Sequence, residues 1–338
     1  MSTSSVSIII PTFNGDSRIA HCLDALRNQT PARDLDILVV DDGSTDDTAT
    51  VVGRYPEVRL LTQSNAGPAA ARNSGASEAK APIILFTDDD CVPMPDWLDA
   101  MLEPFADSEV VAAKGIYRTR QKRLMARFVQ TEYEDRYHLM AGLDSIDFVD
   151  TYSAAFRRDR FLEMSGYDDS FPVACAEDIE LSYRMSARGW KMKFAPAAVV
   201  YHTHPDGFWK YMRKKYKFAF WRVLAVRKNP AKIVKDSHTP QVMKLQVLLA
   251  PSLLFSIALD VALRPPVPIT AFVLATFFLS TLPFALRAAA KDPMIGLLSP
   301  ALLAARACAQ FLGLAGGLIC AHQSLSAASQ ARSTAEAE

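Results

Sequence analysis

Two apolar stretches near the C-terminus limit what this chain can fold into. Val267–Leu286 runs for twenty residues without a charge, and Leu245–Leu263 runs for nineteen with Asp260 as its only acid. A helix of either length spans the hydrocarbon core of a bilayer. The chain is therefore expected to be anchored in a membrane, the alternative being two helices buried in a soluble core. A third stretch, Met294–Ala321, carries Arg306 near its centre. A central arginine costs about 2.5–3.5 kcal/mol on insertion scales, so this stretch is expected to be interfacial or packed on the other two. Membrane helices are thus placed within 244–322, followed by a polar tail, 323–338.

Charge distribution orients these helices. Lys+Arg and Asp+Glu both number 37, so net charge points to no partner, but Gly207–Lys235 holds ten Lys/Arg and no acid. Arg287 and Lys291 follow the second stretch. Both places belong on the cytoplasmic side by the positive-inside rule. The segment 206–243 interleaves its cations with Trp209, Tyr211, Tyr216, Phe218 and Trp221, a pattern that also suits nucleic acid. Next to spans, attraction to anionic membrane lipids is the better reading, and no nucleic-acid partner is expected. Five scattered cysteines without paired spacing fit a reducing compartment. The polar Met1–Ser5 shows no signal-peptide pattern, so a domain over 1–205 is expected on the cytoplasmic face.

Residues 6–115 alternate between two patterns. Val6–Ile10, Ile37–Val40, Val58–Leu61 and Ile83–Phe86 are apolar runs of strand length, while Ile19, Cys22, Leu23 and Leu26 recur at helical spacing. Such alternation implies an α/β fold with a mostly parallel sheet flanked by helices. Ligands of such folds bind at the carboxyl ends of the strands, which directs attention to Thr12–Asn14, Asp41–Asp42 and Asp88–Asp90.

Asp88-Asp89-Asp90 repel one another unless a cation holds them, and oxygen ligands of this kind select Mg2+ or Mn2+. An acidic turn in water is the plain alternative. Asp41-Asp42-Gly43-Ser44 reads as a turn and helix start, with Ser44 and Asp47 at capping-box spacing, or as a carboxylate placed to accept a base N–H. Asn65-Ala66-Gly67-Pro68 opens an Ala-rich helix whose start offers free N–H groups to an anion. Glu177-Asp178 precedes a helical apolar pattern, which puts Asp178 in a first turn where the dipole favours its ionised form. An ionised carboxylate near a sugar is a credible general base. His202 and His204 follow a strand-like run, where one histidine is able to complete a metal's ligand set.

In this order the residues resemble the inverting family 2 glycosyltransferases of GT-A fold, over roughly 6–205. The matching segments are Ile8-Ile9-Ile10-Pro11-Thr12-Phe13-Asn14, Val39-Val40-Asp41-Asp42-Gly43-Ser44-Thr45-Asp46, and Asn65-x-Gly67 with Ala71-Arg72-Asn73-x-Gly75. Phe86-Thr87-Asp88-Asp89-Asp90, Gly166-Tyr167-Asp168-Asp169-x-Phe171 and Ala176-Glu177-Asp178-x-x-Leu181-x-x-Arg184 with Gly189-Trp190 complete the set. The resemblance implies a uracil or thymine pocket walled by Pro11, Thr12, Phe13 and Asn14, with Asp42 its acceptor, hence a UDP- or dTDP-linked donor. It implies that Asn65, Arg72, Asp88 and Asp89 also bind the nucleotide sugar, and that Asp90 is the metal ligand with Asp88 paired to it. His202 or His204 is the candidate further ligand. Asp178 matches the base, and Asp168, Glu177 and Trp190 fall on the acceptor side. Phe13, Ser165 and Asp169 depart from the usual Tyr, Gly and Glu.

The activity so implied is metal-dependent, inverting transfer of a sugar to a hydroxyl. Asp178 favours a hydroxyl over a lipid phosphate, which is already ionised and needs no base. The spans, and the basic cluster Arg118, Arg120, Lys122, Arg123 and Arg127, point to a lipid-linked glycan or glycolipid acceptor. A processive polysaccharide synthase is the rival enzyme, but the Gln/Arg-x-x-Arg-Trp sequence of such enzymes is missing after Asp178. A non-enzymatic membrane scaffold is the other, and it has no need of three adjacent aspartates.

Overall fold

The computed structural model describes residues 6–29, 35–171, 176–230, 236–237 and 239–335, with side chains to residue 320. Two compact units result. The first comprises Met1–Lys122, Glu132–His204 and Asp236–His238, and the second Arg123–Thr131, Pro205–Lys235 and Thr239–Glu338.

The first unit is built on one sheet. Its strands are β1 (Val6–Thr12), β2 (Asp36–Asp41), β3 (Val58–Thr62), β4 (Ile83–Phe86), β5 (Val92–Pro93), β6 (Val110–Arg118), β7 (Ala154–Arg157) and β8 (Lys191–Tyr201), in the order β3-β2-β1-β4-β7-β6-β8-β5. The four expected strands form the first half and pair in parallel. In the other half β7 and β5 run antiparallel to their neighbours, so the sheet as a whole is mixed. Every residue of β1 and β2 is buried, because helices cover both faces. Ile8, Ile10 and Val39 pack into one core with Ile19, Cys22, Leu23 and Leu26 of α1 (Ile19–Arg27). Ile9 and Val40 pack into the other with Ala69, Ala71 and Ala76 of α3 (Pro68–Glu78). Three layers follow, as the period-2 alternation of strand side chains requires.

Between these helices lies α2 (Thr48–Val52), and its start differs from expectation. No capping box forms, because the Ser44 hydroxyl is engaged by the Asn14 N–H; Asp46 Oδ1 instead accepts the Thr48 N–H at 3.0 Å. The remaining helices of the unit are α4 (Trp97–Leu102), most of α5 (Leu124–Ala141), α6 (Arg158–Glu163) and α7 (Glu177–Ala187). The chain leaves β1 for β2 on one side, while β4 lies on its other side. This reversal of strand order opens a crevice at the carboxyl ends of β1 and β4.

The second unit is helical: α8 (Phe208–Lys228), α9 (Gln241–Leu263), α10 (Ile269–Lys291) and α11 (Pro293–Ala335). Three helices are long and apolar enough to cross a membrane, Gln241–Leu263, Ile269–Lys291 and Pro293–Cys320. They expose Leu254, Phe255, Phe272 and Leu297 at 67–76%, a surface suited to lipid rather than water. The first begins four residues before its apolar run and ends with it at Leu263, while the second begins two residues inside its run, after Pro268, and continues past it to Lys291. Asp260 is explained by capping, since its carboxylate accepts the N–H groups of Ile269 and Thr270 at the start of α10. Arg306 is buried and donates to Gln246 Oε1 at 2.6 Å, so it packs against α9. The α8 backbone lies so close to α11 that a Cβ at Gly313 would stand 2.3 Å from the Tyr216 carbonyl oxygen. The basic segment's residues 231–235 and 238 lie outside the described residues.

Candidate active site

The ends of β1 and β2 lie side by side, Thr12 opposite Asp41, and the loops beyond them are joined. The Asn14 N–H donates to Ser44 Oγ at 2.9 Å, Asn14 Oδ1 accepts from the Thr45 N–H at 2.9 Å, and the Gly15 N–H donates to Thr48 Oγ1 at 2.8 Å. Asn14 holds φ at 50°, a left-handed backbone that asparagine tolerates better than most residues. Pro11 and Thr12 are buried, whereas the Phe13 ring is 45% exposed. Asp42 Oδ1 accepts from Gln63 Nε2 and the Ala66 N–H, and Oδ2 from the Gly67 N–H, at 2.8–2.9 Å. The amides before α3, expected to be free for a ligand anion, are therefore bound by Asp42. Asn65 is exposed, and its amide nitrogen lies 3.0 Å from where a Gly43 Cβ would sit.

The three aspartates after β4 face three ways. Asp88 accepts from Arg72 Nη2 at 2.7 Å. Asp89 is buried, accepting from Thr12 Oγ1 at 2.6 Å and from Arg18 Nε at 2.8 Å. Burial pushes the Asp89 carboxyl above its usual range, although Arg18 and Thr12 oppose this. Asp90 lies 3.2 Å from His202 Nδ1, and ligand atoms of Asp90, Cys91 and His202 fall within 4.8 Å of one another. The candidate metal cluster thus contains Cys91 in place of Asp88, which turns to Arg72. Of the two histidines, His202 is the one brought to Asp90. His204 stacks on Tyr133 at 5.4 Å, and its backbone bonds the Gln121 side chain.

Arg72 joins this group to α7. It is 3% exposed and also donates to Glu177 Oε1 at 3.3 Å. Burial lowers its pKa, but Asp88 and Glu177 outweigh that and hold it above the usual arginine range. Asp178 follows in the first turn of α7 with part of its side chain open. The helix dipole, which favours an ionised Asp178, is opposed here. Crowding by protein atoms, then the carboxylates of Glu177 and Asp150, push its pKa well above the usual carboxylate range. Asp168 caps its own turn through the Ser170 N–H. Trp190 stands between the guanidinium groups of Arg160 and Arg188, at 5.4 and 5.5 Å, and is not brought to the acids by these contacts.

Residue chemistry alone did not reveal Arg18, Lys114, Asp150 or Cys91. Arg18 bonds an aspartate 71 residues away and carries no local signal. Lys114 does, being a lone charge in the apolar run Val110–Tyr117. In the basic cluster, Arg120 lies 4.1 Å over the Tyr201 ring, Arg123 pairs with Asp206, and Arg127 pairs with Asp292.

Comparison with known proteins agrees with this layout. Residues 7–163 match the family described as Glycosyl transferase family 2. The chain is 26% identical over 208 residues to the pre-mycofactocin glycosyltransferase of Mycobacterium tuberculosis (strain CDC 1551 / Oshkosh), covering 59% of this chain and 43% of that protein. It is 28% identical over 226 residues to the validoxylamine A glucosyltransferase of Streptomyces hygroscopicus subsp. limoneus, covering 55% and 49%. The chain spans about half the length of these curated relatives. Among solved structures, the mannosyltransferase PcManGT from Pyrobaculum calidifontis, in complex with GDP-Man and Mn2+, has a TM-score of 0.64 at 21% identity, covering 94% of this chain and 88% of that one. That likeness is one of fold, and the fold is GT-A.

Proposed function

We propose that this chain, which carries a glycosyl transferase family 2 domain over residues 7–163, transfers a sugar from a nucleoside diphosphate onto a hydroxyl of a lipid-linked glycan or glycolipid, with inversion. One observation carries the reading: a single buried guanidinium, Arg72, ties Asp88 at the end of β4 to Glu177 beside Asp178. Donor-side acids and the candidate base are thereby held in one crevice at the strand ends.

Asp90 and His202 fit a divalent cation. The His202 Nδ1 is buried without a hydrogen-bond partner and faces the Asp90 carboxylate at 3.2 Å. Carboxylate with imidazole suits Mn2+ better than Mg2+, which prefers oxygen, and PcManGT was solved with Mn2+. Such an ion, when bound, supplies Lewis-acid stabilisation of charge on a departing diphosphate.

The chain's own residues supply the rest. Pro11, Thr12, Phe13, Asn14, Asp42 and Asn65 frame the base of the nucleotide. Asp178 takes the proton of the acceptor hydroxyl as that oxygen attacks the face of the anomeric carbon opposite the diphosphate. One displacement inverts the centre, and the raised pKa of Asp178 makes its ionised form a stronger base. Asp168 and Glu177 line the acceptor side, and exposed Arg118 and Arg120 suit the phosphates of a lipid-linked acceptor. The three candidate spans keep the enzyme where such an acceptor resides, with catalysis on the cytoplasmic face.

The test uses the full chain in detergent with Mn2+ and UDP-glucose, dTDP-glucose or GDP-mannose, reading release of nucleoside diphosphate. Asp178→Asn should lower kcat by about 10²–10⁴ and leave the donor KM unchanged. Wild-type kcat in Asp178→Asn would remove the base assignment, and release from none of these donors, even with membrane lipid extract as acceptor, would refute transfer.

A further inference from the structure

Lys114 stands in the middle of β6 and is 1% exposed. Its ammonium pairs with Asp150, donates to Tyr152 Oη at 3.0 Å, and lies over the rings of Tyr152 and Phe148 at 4.7 and 5.2 Å. Asp150 is itself buried. Apolar side chains of similar volume commonly replace such a pair with no loss of stability, so stability does not account for these two charges.

Their position does. The segment carrying Asp150 is fastened to the helix that carries Asp178. The Val149 N–H donates to Ser182 Oγ at 2.9 Å, and that hydroxyl lies within hydrogen-bond distance of the carbonyls of Val149 (3.2 Å) and Asp178 (2.6 Å). Ser182 is one turn beyond Asp178 on α7. We propose that the Lys114–Asp150 ion pair is a positioning element for Asp178, fixing the first turn of α7 through Val149 and Ser182 and setting the charge that Asp178 faces. The proposal rests on Asp178 being the base.

Among the described residues, these charged and titratable groups act on that carboxyl. Glu177 comes from its own helix, Asp150 from the segment before β7, Arg72 from α3, Lys114 from β6, Tyr133 from α5 and Tyr167 from the turn after α6. Of the pair, Asp150 acts more strongly on Asp178 than Lys114 does. Asp150→Asn leaves the ammonium alone, which favours ionised Asp178 and extends activity to lower pH. Lys114→Met leaves a second carboxylate beside Asp178, so one of the two keeps its proton to higher pH.

The experiment is the pH profile of kcat/KM for UDP-glucose or GDP-mannose hydrolysis, whichever the full-length wild type performs. The acid limb should move by about one pH unit, downward in Asp150→Asn and upward in Lys114→Met. In the double variant, which carries neither charge, it should lie between the wild-type and Asp150→Asn positions. Where a single variant does not fold, Asp150→Ser or Lys114→Gln replaces it. An acid limb unmoved in the single variants, with only kcat or melting temperature lowered, overturns the proposal. Asp178→Asn separates the two readings. Full turnover there removes the base assignment and this proposal with it, whereas loss of turnover there with an unmoved limb removes this proposal alone.

Discussion

Replacing Arg72 with Met removes the guanidinium while keeping an unbranched stem in its place. The consequence follows from how deeply each partner lies. Arg72 and Glu177 are each 3% exposed, while Asp88 is 26% exposed. Asp88 is able to turn to water, so most of the cost falls on Glu177, which stays buried and also accepts from the Ala176 N–H at 3.1 Å. Removing one partner of a buried pair costs about 3–5 kcal/mol. For a unit of this size that lowers the melting temperature by roughly 6–20 °C. Thermal unfolding of the full chain in detergent, followed by circular dichroism, reads the loss directly. Glu177→Gln added to Arg72→Met should recover more than half of it, because the stranded charge is gone. Asp88→Asn in the same background should recover little. A melting temperature unchanged by Arg72→Met, or equal rescue by Asp88→Asn, refutes the assignment of the cost to Glu177.

Asp90→Ala and His202→Ala should each weaken Mn2+ binding at least about tenfold, read from the paramagnetic resonance of free Mn2+, with His204→Ala unchanged; wild-type affinity in His202→Ala would remove that residue from the ligand set. High salt should leave the full-length protein in the membrane fraction, since lipid burial of α9 and α10 is not screened as surface charge is, and release by salt alone would show that these helices do not span.

The first four strands were legible because helices cover both faces of the sheet, so each strand reads as an unbroken apolar run. The later strands gave less. β5 has two residues, and β8 mixes Lys191, Lys193 and Pro196 into its first half, so only its end, Ala198–Tyr201, reads as a strand. The spans were legible by length, although Arg306 obscured the third, since its partner Gln246 lies 60 residues away on another helix. In the site, the strand-end rule located Thr12, Asp42 and the aspartate triplet. What it did not supply were partners. Asp42 satisfies the amides before α3, and Arg18 reaches Asp89 across 71 residues, relations that exist only once the strands are in register. The dipole at the start of α7 was real but weaker than burial and two neighbouring carboxylates.

The aspartate triplet shows how residue chemistry and fold combine. Three adjacent carboxylates require cations, and the chain provides two of them itself, Arg72 for Asp88 and Arg18 for Asp89. Guanidinium groups keep their charge throughout the accessible pH range, so these two acids are neutralised permanently and hold the turn in place. Asp90 faces an imidazole instead, a side chain that binds metals through its neutral form. A divalent ion shared across all three acids would compete with two guanidinium groups. At Asp90 an imidazole stands close as well, with His202 Nδ1 at 3.2 Å. Asp89, bonded by Thr12 and Arg18, ties the turn after β4 to the loop after β1.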